Sequence, residues 1–185
     1  MNSKTLALGA AVALSSAALA DVTVTFTNQT WSGFQFNNLN AAFPGGFVGT
    51  LTGVSVNATL INSVSFTYAD DLTLYITPTA TLATGGQLQV GGFSNLFAAQ
   101  RLSWGSGGSS APGTVVSGTR SVNPIVFSGL PTDTKNIWLG NGYGAQGTSG
   151  TWTGSITLIG INQVPAPGAA ALLGVAGLVA RRRKA

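Results

Sequence analysis

Between residues 21 and 162 the chain alternates apolar and polar residues with a period of two, and it shows no helical apolar spacing of useful length. Side chains at i and i+2 share one face of an extended strand, so this pattern demands strands that cover their apolar faces against one another. Val22, Val24 and Phe26 share such a face, as do Val54, Val56, Ala58 and Leu60 beyond Gly53. Val64, Phe66 and Tyr68 line up next, then Leu72, Leu74 and Ile76, with Thr73 and Thr77 on the opposite face. The pattern returns in Leu88 with Val90, Leu102 with Trp104, Ile125 with Phe127, Ile137 with Leu139, and Trp152 with Ile156 and Leu158. Gly and Pro clusters at 44–46, 85–86, 105–113 and 140–150 supply the turns.

About nine or ten short strands of this kind predict an all-β domain over residues 21–162, a two-layer β-sandwich of the jelly-roll type. A domain of this length buries a core without disulfides or metal. Thr on the outward positions accounts for solubility with only 6% charged residues, because Thr favours strands and its hydroxyl is satisfied by water. Little charge also means little self-repulsion, so a tendency to associate with surfaces or with itself is expected.

The residue inventory excludes most catalysis. The chain has no Glu, His or Cys, which removes the imidazole base, the thiolate and the usual zinc ligands. Ser and Thr are abundant but have no base beside them, and a non-enzymatic protein is the reading. The net charge of +4 is concentrated at the termini: Arg101, Arg120 and Lys135 stand against Asp21, Asp70, Asp71 and Asp133, leaving −1 for the domain. Three scattered cations do not make a phosphate-binding face, so nucleic acid is not an expected partner.

Residues 1–20 carry Lys4, an apolar run from Leu6 to Leu14, and small residues at Ala18 and Ala20. This is the pattern of a signal peptide, a short helix removed before Asp21. Residues 163–185 form a second distinct segment. Val164, Pro165, Ala166, Pro167 and Gly168 precede an apolar run from Ala169 to Ala180, and Arg181, Arg182, Arg183 and Lys184 follow it. As a helix that run spans about 18 Å, short of the roughly 30 Å hydrocarbon core. The basic end would stay in the cytoplasm by the positive-inside rule while the signal peptide sends the domain across. The tail therefore reads as a hydrophobic helix that holds the chain in the membrane for a time; an ordinary short anchor is the alternative.

This order of Pro-x-Pro, short small-residue-rich transmembrane run and terminal Arg cluster resembles the PEP-CTERM sorting signal. The resemblance implies a bacterial source that makes exopolysaccharide, an exosortase-type processing enzyme as partner, and delivery to the envelope surface or beyond. The family's usual motif is Pro-Glu-Pro, and Ala166 takes the place of the Glu. Two segments of the domain, 65–78 and 149–161, resemble the jelly-roll P-domain found beside secreted proteases, through an Asp-Leu-x-x-x-Ile strand and a closing Gly-x-Trp strand. That resemblance implies the fold alone, since no protease domain accompanies it.

Three groups remain as candidates for chemistry. Lys135, in the turn-rich LPTDTKN run, reads as a solvated loop lysine rather than one half of an isopeptide crosslink near Asp133. Asp70 and Asp71 are adjacent carboxylates that read as a polar turn in preference to a Ca²⁺ site; no other cofactor is expected. Among the aromatics, Trp104 and Trp152 share the phase of apolar neighbours and belong to the core, and Trp31 carries no such assignment. Trp138 is out of phase with Ile137 and Leu139, and Tyr143 sits in the Gly-rich run after it. The stretch from Trp138 to Gln146 thus offers two rings for stacking on a pyranose, with Asn141 and Gln146 to bond its hydroxyls. Two functions follow: an exported, non-enzymatic surface or matrix protein, or an exopolysaccharide-binding module. Aromatic rings exposed along a loop edge would favour the second.

Overall fold

A computed structural model describes residues 21–93 and 96–165. Among these residues are nine strands: β1 (Val22–Ser32), β2 (Phe36–Asn38), β3 (Phe47–Val64), β4 (Leu72–Thr77), β5 (Leu88–Val90), β6 (Gln100–Leu102), β7 (Val115–Ser128), β8 (Asn136–Asn141) and β9 (Ser149–Gln163). They form a four-stranded sheet in the order β1-β9-β3-β7 and a five-stranded sheet in the order β2-β8-β4-β5-β6. All pairings are antiparallel except β5 with β6. The two sheets pack face to face as a β-sandwich. The signal segment and the tail from Ala166 onward lie outside the described residues.

The core follows the alternation. Val54, Val56, Ala58 and Leu60 of β3, with Trp152, Ile156 and Leu158 of β9, face Leu72, Leu74 and Ile76 of β4 and Ile137 and Leu139 of β8, all buried. Each fully covered aliphatic side chain stabilises the fold by about 1.5–3 kcal/mol before entropy is counted. Gly53 marks irregularities in register along β3, where Leu51 is followed by Gly53 in its pairing with β7.

Two expectations are corrected. Val64, Phe66 and Tyr68 do not share a strand: β3 stops at Val64, and Ser65 and Phe66 take left-handed φ values of 54° and 63°. The period-two spacing continues through the reversal, so the pattern alone does not show it. The Thr face of β4 is not solvated either. Thr73, Tyr75 and Thr77 are buried beneath the connection from β4 to β6. The Tyr75 hydroxyl donates toward the carbonyls of Ala83 (2.8 Å) and Leu96 (3.1 Å) and accepts from the Gly86 N–H (2.7 Å). The hydroxyl-rich outer face belongs to the four-stranded sheet. There Thr23, Thr157, Ser55 and Thr119 form one row across the strands, with Thr23 bonded to Thr157 (2.9 Å) and Thr119 to Ser55 (3.1 Å).

Strand direction gives the sandwich two distinct ends. Asp21 Oδ1 accepts from the Gly160 N–H (2.9 Å), and the Val164 N–H donates to the Gly46 carbonyl (2.9 Å). Both termini of the described chain therefore leave from one end. The register of β3 with β9 runs from Phe47 opposite Gln163 to Val64 opposite Ser149. The connections following β1, β3, β5 and β8 gather at the other end, about 45 Å away along a strand of this length.

Candidate functional site

At the end remote from the termini, three loops bring exposed aromatic rings around a short acidic turn. The first loop follows β3. Ser63 Oγ donates to the Thr67 carbonyl (2.7 Å) and Thr67 Oγ1 to the Val64 carbonyl (3.1 Å), which pins the reversal on both sides. Phe66 at its tip is 77% exposed. A bulky residue at positive φ is strained, and such strain persists only where the surroundings enforce it.

Ala69–Asp71 then make a single 3-10 turn. Asp71 Oδ2 accepts from the Tyr68 N–H (2.7 Å), closing the turn on itself. The backbone of this turn is anchored from several directions. The Trp152 indole donates to the Ala69 carbonyl (3.1 Å), the Gly92 N–H to the Asp70 carbonyl (2.7 Å), the Gly142 N–H to the Asp71 carbonyl (2.8 Å), and the Trp104 indole to the Leu72 carbonyl (2.6 Å). Trp104 and Trp152 are core residues, as their phase implied, and their one polar atom each is aimed at the acidic turn.

The second loop follows β5 and carries Phe93, 80% exposed. Gly91 and Gly92 make its approach possible, both at positive φ. A Cβ at Gly91 would overlap the Trp104 indole, and one at Gly92 would overlap the Thr73 hydroxyl. The third loop follows β8 and carries Tyr143, whose ring meets Phe93 edge-on at 6.3 Å between centroids.

These side chains border two adjoining hollows. One, of about 230 Å³, is lined by Phe66, Tyr68, Asp71, Phe93 and Tyr143. The other, of about 130 Å³, is bordered by Asp70, Asp71, Ser103 and Trp104, and shares Tyr68 and Phe93 with the first. Burial pushes the Asp71 carboxyl up to about 6, against the pull of the Tyr68 and Phe93 N–H groups and with a further push from the Asp70 charge. Asp70 is raised as well, by burial, against its own backbone N–H. Such a cleft can stack on a flat apolar face, accept hydrogen bonds and attract positive charge. A larger groove of about 440 Å³ beside β6 and β7 is lined by amides, aliphatic groups, Ser128 and Lys135, and it has neither a ring nor a carboxylate.

No family model, curated protein or solved structure matches this chain.

The structure divides the sugar-binding set expected from the sequence. Tyr143 lines the cleft. Asn141 is buried, and its Oδ1 accepts from the Tyr143 N–H (3.0 Å), so it positions the ring and is closed to a ligand. Trp138 lies in mid-strand, half-buried, with its indole N–H on Thr77 Oγ1 (2.9 Å), and does not line the cleft. Gln146 is exposed in the Tyr143 loop but borders neither hollow. Trp31 is buried and tilted against Trp152 at 5.8 Å.

Asp70 and Asp71 both border the cleft, and among the described residues no group of three or more His, Cys, Asp or Glu is placed to hold a metal. Lys135 Nζ pairs with Asp133 Oδ1 at 2.9 Å. Of the sorting residues, Val164 and Pro165 are described, whereas Ala166, Pro167, Gly168, Arg181, Arg182 and Arg183 lie outside, as do Ala18 and Ala20. Among the described residues no helix is long and apolar enough to cross a membrane.

Sequence reasoning missed Phe66, Tyr68 and Phe93. Phe66 and Tyr68 were masked by their alternation with Val64. Phe93 had a usable signal, a large ring directly after Gly91-Gly92 and outside any strand pattern.

Proposed function

We propose that this chain is an exported, non-enzymatic cell-surface protein, sorted through its PEP-CTERM-like tail, and that its sandwich is a jelly roll that binds carbohydrate in the aromatic cleft. The observation that carries the reading is the position of the cleft. Phe66, Tyr68, Phe93 and Tyr143 crowd the end opposite Asp21 and Val164, so a domain tethered through its tail presents the rings away from the membrane. Solvent-exposed Phe at two loop tips is costly on a free surface and is explained by a partner with an apolar face. A pyranose has such a face, and its hydroxyls complement Asp70, Asp71 and Ser103.

The strand order supports the jelly-roll reading. β1-β9-β3-β7 over β2-β8-β4-β5 is the arrangement of two interleaved Greek keys, with β6 added at one edge. The non-enzymatic reading is supported by the use made of Asp71, whose carboxylate closes the turn by accepting from the Tyr68 N–H. The sorting part is supported by the chain's exit. β9 ends at Gln163, Val164 is still bonded to the domain, and the Pro-x-Pro motif begins at the next residue.

The experiment has two arms. Mass spectrometry of the native protein from envelope and culture supernatant should give a mature N-terminus at Asp21 and loss of the segment after about Pro167; stable retention of Arg181–Arg183 would leave an ordinary anchor. Titration of the purified protein with oligosaccharides, read by tryptophan fluorescence with Trp104 in the cleft wall as the reporter nearest the ligand, should show saturable binding that Phe93→Ala weakens. Absence of binding to every sugar would leave a purely structural surface role.

A further inference from the structure

We propose that the cleft selects glycans bearing free amino groups, the ammonium seating against Asp70 and Asp71 within the ring of Phe66, Tyr68, Phe93 and Tyr143. This rests on the carbohydrate reading and names the ligand class within it. Among the described residues, the lining of the two hollows contains four exposed or half-exposed rings and two carboxylates, and no Lys or Arg. The Arg120 guanidinium, on β7 behind the wall, is engaged by backbone: it donates to the Ser103 carbonyl (2.6 Å) and to that of Trp104. Lys135 is paired with Asp133 and lines neither hollow.

Charge decides between ligand classes. A neutral sugar that covers the cleft strips more water from two carboxylates that burial already disfavours, and returns only hydroxyl hydrogen bonds. An anionic sugar adds repulsion. An ammonium compensates the buried charge directly through charge-assisted hydrogen bonds, and the ring faces add cation–π attraction. The sugar ring that carries it supplies the apolar face for Phe66 and Phe93.

The test compares one oligosaccharide in two forms. A β-linked glucosamine oligomer and its fully N-acetylated counterpart share a backbone and differ in the ammonium; an oligouronate provides the opposite charge. Titration of the mature protein should show the free amine binding about tenfold tighter than the acetylated form, with the difference shrinking at high salt and the uronate not binding. Asp70→Asn, at a half-buried position, should abolish the difference by bringing the free amine's affinity down to that of the acetylated form or below it; Asp71→Asn provides the second variant should the first not fold. Equal affinity for both forms, lost in Phe93→Ala, would overturn this inference and keep the carbohydrate reading. No binding of any oligomer would overturn both. Displacement of the amine oligomer by tetramethylammonium at matched ammonium concentration would also overturn it, because the cleft would then be reading charge without the sugar.

Discussion

The indole N–H of Trp152, on an inner strand of the four-stranded sheet near the cleft end, donates to the carbonyl of Ala69 at 3.1 Å, so a fully buried core side chain also holds the first residue of the acidic turn. Packing and site geometry are thereby linked: any movement of the ring between the sheets is felt at Asp70 and Asp71.

Trp152→Phe keeps an aromatic ring in the core but leaves the Ala69 carbonyl without its donor. A buried acceptor left unsatisfied costs about 1–3 kcal/mol. Denaturant unfolding should show a loss of that order plus a contribution from the vacated indole volume. Oligosaccharide affinity should fall with it, although Trp152 touches no ligand; unchanged affinity would show that the turn holds its shape without this bond.

Asp71 makes stability depend on pH in a defined direction. Its folded value of about 6 lies above the ordinary 3.8, so the folded state holds the proton more tightly than the unfolded state. Its contribution is most favourable below about 3.8, declines as pH rises through the interval to about 6, and is constant above. Asp70 acts in the same direction. Asp133 acts in the opposite one: its burial is outweighed by hydrogen bonds from Lys135 and Ser128, so its stabilisation is lost as pH falls below the ordinary carboxylate range. Asp71→Asn retains an acceptor oxygen for the Tyr68 N–H. Its thermal midpoint should gain on the parent's between about pH 4 and 6 and run parallel above about 7; parallel curves throughout would mean that Asp71 titrates normally.

Gly92→Ala should destabilise by about 1–3 kcal/mol for two separable reasons, a φ of +74° and an overlap with the Thr73 hydroxyl. Adding Thr73→Ala removes the overlap and leaves the backbone strain, so the double variant should recover part of the loss. Full additivity of the two single effects would place the whole cost in the backbone.

Phe66→Asn replaces a bulky residue at a left-handed φ of 63° with one that tolerates it. The fold should be as stable as the parent or more stable by up to about 1 kcal/mol, while sugar binding weakens. A variant that loses stability would show that the exposed ring contributes to the fold.

The period-two pattern by itself determined that the chain makes strands with one apolar face, and hence an all-β fold that closes those faces on one another; that they close as two sheets is set by the strand order. It also determined that Trp104 and Trp152 face inward, since their phase matches that of their neighbours. What it left open is where a strand stops. Phe66 and Tyr68 continue the spacing of Val64, and the reversal at Ser65 and Phe66 carries no glycine or proline to announce it, because the positive φ values are imposed by the hydrogen bonds of Ser63 and Thr67 around the turn. Asn141 reads as a loop amide and is buried, because β8 runs on to it and the Tyr143 backbone occupies its oxygen. The cleft belongs wholly to the tertiary structure: Phe66, Phe93 and Tyr143 lie far apart along the chain, and only the strand order, which sets the loops after β3, β5 and β8 at one end of the sandwich, brings them around Asp70 and Asp71.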